Sequence, residues 1–174
     1  MKKLYYAFLA AASVVVLSTC SKSSSVEEQT DLSGSFPGNE KVVIDASKME
    51  EAVLDMVNEH RSSIGVSALI SSPSSYKYAQ EHNTYMISKN KLSHDNFDAR
   101  ASDIATEINA VEVGENVARF YSSAALVVEG WLNSTSHKET LEKAFTHTTL
   151  SVQLDKDGRP YFTQIFMKIE SNNP

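Results

Sequence analysis

The chain has 174 residues, of which 41% are hydrophobic and 22% charged, with 16 Lys and Arg against 22 Asp and Glu and a formal net charge of −6. No cluster of basic residues occurs anywhere, so nucleic acid is excluded as a partner, because phosphate recognition needs concentrated positive charge. The single cysteine rules out an internal disulfide.

Lys2 and Lys3 make a basic start, residues 8–17 are a short apolar run, and "LSTC" ends at that one cysteine, Cys20. The run is too short to span a bilayer and reads as the core of a signal peptide over residues 1–19. "LSTC" resembles the bacterial lipobox, which implies cleavage before Cys20, lipidation of its sulfur and attachment to a membrane. The alternative is a secreted chain with one free thiol. Lipidation leaves no thiol for catalysis or zinc binding, so cysteine-protease and zinc-finger readings fall away. Loss of Lys2 and Lys3 with the leader leaves 14 basic against 22 acidic residues, a charge of −8.

Residues 20–41 are rich in Ser, Gly and acids and poor in large apolar side chains, so they read as a flexible tether. Residues 42–174, about 130 in number, suffice for one domain with its own core.

Ser47 and Glu50 form a Ser-x-x-Glu capping pattern ahead of Met49, Ala52, Val53, Met56 and Val57 at helical spacing, which predicts a first helix ending near Gly65. Pro73 opens a second helix carrying Tyr78, Ala79, His82, Tyr85, Met86 and Lys89. His82 lies on its inner face with no partner visible in the sequence, and is read as a core histidine. A short third helix is expected over Ala101 to Ile108. A fourth runs from Ser123 to Leu132, with Ala124, Val127, Val128 and Trp131 inward. Ser136 and Glu139 repeat the capping pattern and predict a short stretch bearing Leu141 and Phe145.

The period then changes. Leu150, Val152 and Leu154 alternate with polar residues, Asp157-Gly158 marks a turn, and a second β-rich run continues to Ile169. Several helices followed by an antiparallel hairpin predict an α+β fold.

No local catalytic signature occurs: there is no H-E-x-x-H, G-x-S-x-G, phosphate loop or C-x-x-C. Polar groups stand out where the chain turns in "KLSHDNF" (His94), "VGENVARF" (Glu115 and Asn116) and "GWLNSTSHKETL" (His137). A carboxylate between Gly114 and Val117 is either on an exposed turn or buried with a partner, since an unpaired buried charge is costly. Asp95 and Asn96 read as loop-holding Asx residues. His60 and His147 read as surface residues.

The order "VNEHR", "AQEHNTYM", "LSHDNF", "VGENVA", "WLNSTSH" and "YFTQIF" resembles the bacterial branch of the CAP superfamily, which includes cysteine-rich secretory proteins, antigen 5 and plant pathogenesis-related proteins. The resemblance covers nearly all of residues 50–166. It implies an α-β-α sandwich with an antiparallel central sheet and a central cleft. By motif, His94 and His137 are the cleft histidines and the expected metal ligands for Zn²⁺ or another divalent cation, with Glu115, Asn116 and Gln164 as cleft residues. Asn58 and Arg61 match polar family positions and are assigned to scaffolding.

The second acid of eukaryotic members has no counterpart, because Trp131 is followed by Leu132, Asn133 and Ser134. Tyr161 occupies the place of their second histidine.

Three functions compete. The first is a non-catalytic module, lipid-anchored at the outer membrane or cell surface, whose cleft takes a cation and a lipid or protein ligand. The second is a metal-assisted hydrolase of peptide or envelope polymer with Glu115 as general base. The third is a structural envelope protein with incidental histidines.

Overall fold

The computed structural model describes residues 43–170. The signal peptide, Cys20 and the whole tether therefore lie outside the described residues. The elements in chain order are helix α1 (Ala46–Ser63), strand β1 (Ile70–Ser71), a 3-10 turn (Pro73–Ser75), helices α2 (Tyr76–Lys89) and α3 (Phe97–Ile108), strand β2 (Ala110–Arg119), helices α4 (Ala124–Asn133) and α5 (Thr135–Glu142), and strands β3 (His147–Leu154) and β4 (Pro160–Ile169).

The strands form one sheet in the order β1-β3-β4-β2. All neighbours are antiparallel except the short β1–β3 pair. Helices cover both faces. On one, Val53 and Val57 of α1, Val127 and Trp131 of α4 and Leu141 of α5 pack with Phe162 and Phe166 of β4. On the other, Ala79 of α2 and Ile104 of α3 meet Ile165 and Met167, while Met86 and Val117 meet Tyr161. Strand side chains alternate between faces, so β4 feeds both cores. Every residue from Pro160 to Met167 is buried. This is the α-β-α sandwich expected from the sequence.

Helix boundaries depart from the sequence reading in instructive ways. Asp45, not Ser47, caps α1, accepting from the Lys48 N–H. Glu50 does not close a capping box. Its carboxylate accepts from the Tyr76 hydroxyl at 2.8 Å and the Val152 N–H at 2.7 Å, tying α1 to α2 and β3. Ser134, not Ser136, stands at the start of α5. Helix α3 begins at Phe97, four residues before its predicted start, after Asn96 at φ 61°. Gly65, at φ 76°, follows α1 as predicted, and Val66 N–H closes back on the Arg61 carbonyl.

Two strands escaped the sequence reading: the short β1, and β2, whose "VGENVAR" was read as a turn.

Two scaffold residues make connections that sequence reading assigned only generically. The Asn58 amide gives and takes a hydrogen bond with the Leu69 backbone, at 3.1 and 2.7 Å. Arg61 is fully buried. Its guanidinium donates to the carbonyls of Ser67, Leu141, Lys143 and Phe145, at 2.9, 2.6, 2.8 and 3.0 Å.

Candidate functional site

Strand β2 carries Glu115 toward α2 and α3, where its side chain is 1% exposed. It is a strand residue and not part of an exposed turn. A carboxylate this deep requires compensation, and three groups supply it. Arg100 of α3 donates through Nε to Oε2 at 2.8 Å and through Nη2 to Oε1 at 2.9 Å. The His94 Nδ1 lies 2.9 Å from Oε1. The His82 Nε2 of α2 lies 3.7 Å from the same oxygen.

Burial alone would raise the Glu115 carboxyl, but the His94 hydrogen bond, Arg100 and His82 together hold it below the usual carboxylate range. Since the carboxylate only accepts, His94 donates to it through a proton on Nδ1. The His94 side chain is 44% exposed.

His82 is a core histidine, as read, but not one without a partner. Its Nε2 donates to the Ser93 carbonyl at 2.7 Å, and its ring stacks on Tyr85 at a centroid separation of 6.0 Å. Burial pushes its pKa below the ordinary value, against the pull of Glu115. Neither His82 nor Arg100 was singled out as a site residue from the sequence. The intervals that join them to Glu115 follow no local motif.

Asp95 and Asn96 hold the loop, as expected. Asp95 accepts from the Tyr85 hydroxyl at 2.9 Å, its carbonyl takes Arg100 Nη1 at 3.3 Å, and Asn96 adopts the left-handed conformation that starts α3.

The remaining predicted site residues are Asn116, Gln164 and His137, the last of which adjoins the cleft-lining Ser136 in the chain. Asn116 and Gln164 are register partners on β2 and β4, and both are fully buried. Asn116 donates to the His137 carbonyl at 3.0 Å, and Gln164 to the Thr148 hydroxyl at 3.2 Å. The His137 Nδ1 pairs with the Ser134 hydroxyl at 2.8 Å. His60 is less exposed than expected and pairs with Glu142 at 2.8 Å. His147, also half-buried, contacts the Thr146 hydroxyl.

A cleft of about 620 Å³ opens between the start of α3 and helix α5, with His94, Phe97, Val113, Glu139, Thr140 and Phe145 among its lining. Its floor includes Gly114, where a Cβ would stand 2.9 Å from Phe145 Cζ. Glycine is what lets Phe145 lie against the strand.

The chain belongs to the cysteine-rich secretory protein, or CAP, family. The family profile matches residues 54–166. The uncharacterized membrane protein YlbC of Bacillus subtilis is 31% identical over 122 residues, covering 68% of this chain and 34% of YlbC, so the CAP domain spans about a third of that relative. An outer surface protein of Borrelia burgdorferi matches in structure with a TM-score of 0.66 at 22% identity, over 73% of this chain and 97% of that one. An extracellular protein containing a SCP domain from Bacillus anthracis matches with a TM-score of 0.60 at 25% identity, over 71% of this chain and 41% of that one.

The resemblance names His94 and His137 as ligands for a cation, with Glu115 either ligating it or orienting a ring, and the Glu115–His94 hydrogen bond has the form of the second arrangement. Among the described residues, no three His, Cys, Asp or Glu side chains are grouped to hold a metal ion. Glu115 does not suit the task, because Arg100 already neutralises it and occupies both of its oxygens. What the site offers chemically is an oriented imidazole, His94, held by Glu115 and partly exposed at the cleft.

Proposed function

We propose that this CAP-domain protein is exported, anchored at the cell envelope through lipidated Cys20, and acts as a binding module for a lipid or protein ligand rather than as an enzyme. The observation that carries the reading is the engagement of Glu115. A general base needs a lone pair within reach of the water it deprotonates. Both Glu115 oxygens are already committed to Arg100, with His94 on one of them, and the carboxyl is held at low basicity.

The same network serves binding well. It fixes the His94 ring in a cleft where Phe97, Val113 and Phe145 supply apolar surface and Ser136, Glu139, Thr140 and Lys143 supply polar groups. The reading requires no cation at Glu115. Envelope attachment is supported by the leader-like start ending at Cys20, and by relatives described as an outer surface protein, an extracellular protein and a membrane protein.

The test uses isotope-labelled full chain in detergent micelles, screened by amide correlation spectra against soluble fragment mixtures. The same preparation is assayed for cleavage of a peptide panel and of peptidoglycan. The expected result is shifts confined to the neighbourhood of Phe97, Gly114 and Phe145, with no turnover. Cleavage that disappears in Glu115→Gln would establish the hydrolase instead.

A further inference from the structure

Two hydrogen bonds fix which side of β2 each backbone group takes. The Phe120 N–H, just beyond the strand, donates across to the Pro160 carbonyl at 2.7 Å. Trp131 Nε1, from α4, donates to the Val117 carbonyl at 3.2 Å. In an antiparallel pair, successive residues alternate between bonding the neighbouring strand and turning away from it. Counting back from Phe120 in the observed register, Ala118, Asn116 and Gly114 bond β4, whereas Val117, Glu115 and Val113 turn outward.

Among the described residues strand β2 is an edge of the sheet, and its two ends are set apart from its middle. Trp131 takes the Val117 carbonyl. At the other end, the register shifts between Ala110 and Glu112 and the ladder is irregular. Between these limits, Val113 and Glu115 direct two N–H and two C=O groups outward, spaced about 7 Å apart along the strand. Both residues line the cleft.

An unpaired strand edge is a template for another extended chain. Alternating donors and acceptors at strand spacing are the complement of a peptide backbone. A lipid headgroup does not repeat donors and acceptors at strand spacing. The charges nearby do not favour an ionic ligand, since Lys143 is paired with Glu112 and stands near Glu139 on the same rim. The walls suit alternating side chains, with Phe97 and Val113 on the α3 side and Phe145 and Thr140 on the α5 side.

We propose that the cleft takes an extended peptide segment of a partner protein, added as a strand to β2 through the backbone of Val113 and Glu115. This rests on the binding-module reading and names its ligand class. Side chains projecting alternately to Phe97 and Phe145 supply selectivity, and the ladder supplies orientation.

The probe is the most enriched sequence from a random heptapeptide display library selected on the full chain in micelles. It is made in three forms, one unmodified and two N-methylated at alternate amides, one in each phase. With the unmodified peptide, amide exchange at Val113 and Glu115 is expected to slow at least about tenfold, and one N-methylated phase should abolish binding. Val113→Pro removes an outward N–H without touching the β4 ladder and is expected to weaken binding about tenfold. The methylated peptides keep the test intact if that variant fails to fold.

Equal binding by all forms, with shifts at Phe97 and Phe145 but unchanged exchange at Val113 and Glu115, would overturn strand addition and leave the binding cleft standing. A library that enriches nothing overturns strand addition too. If fragments also produce no shifts at the cleft, the binding-module reading falls with it.

Discussion

Arg100 holds Glu115 with both edges of its guanidinium, through Nε on one carboxylate oxygen and Nη2 on the other, at 2.8 and 2.9 Å. The two side chains are only 10% and 1% exposed. Removing one member strands the other's charge away from water. Arg100→Met is therefore expected to cost about 3–5 kcal/mol, whereas adding Glu115→Met to it should recover most of that loss. Urea denaturation of the two single variants and the double variant closes the cycle. Additive losses would show that the pair is not coupled.

The same cluster predicts stability falling in two steps on acidification. The unfolded chain protonates His82 near the ordinary histidine value, about 6.5. The folded protein resists because burial lowers the ring's pKa, so stability declines as pH drops through that value. Glu115 is held low despite burial, by His94, Arg100 and His82. It contributes stability above the ordinary glutamate value, about 4.3, which is lost as pH falls further. Thermal unfolding scanned from pH 8 to pH 3 should show both limbs, and His82→Gln should remove the upper one.

Zn²⁺ is not expected to draw on Glu115. Titration calorimetry of the wild type and of Glu115→Gln should give superimposable isotherms, because Arg100 and His94 already occupy the carboxylate. A tight site that vanishes with Glu115 would contradict this account of the cleft.

Gly114→Ala places a methyl 2.9 Å from Phe145 Cζ and 3.2 Å from Thr140 Cγ2. Phe145 is packed against Phe166 and has little freedom to yield. The expected cost is about 1–3 kcal/mol of overpacking strain, read from the denaturation midpoint, together with altered amide shifts along the cleft floor. A neutral effect would mean that the ring moves freely.

The elements with strong periodicity were legible in the sequence. Helices α1, α2 and α4 and the β3–β4 hairpin lie where apolar spacing put them, and the six ordered segments led to the right sandwich. Strand β2 was hidden because its two buried faces carry Glu115 and Asn116, residues that rank low for strands and are tolerated here by Arg100 and by the His137 carbonyl. The capping errors share a cause: Ser-x-x-Glu is a local pattern, but Glu50 is used by Tyr76 and by Val152, far along the chain. His94 and Glu115 were found together because a family motif marked both. Arg100 carried no mark, and only the turn of α3 onto β2 brings it to the carboxylate.

The interior position of β4 bears on when this domain can exist during export. β4 lies between β2 and β3, yet it is the last strand in the described sequence. The Arg61 guanidinium likewise waits for carbonyls 80, 82 and 84 residues downstream. A chain emerging N-terminus first therefore has neither its sheet nor its α1 anchor until nearly all of it is available. Contacts so remote in sequence slow folding, a property that would suit the export proposed above. It also means that loss of a few residues from β4 should abolish the fold rather than fray one edge.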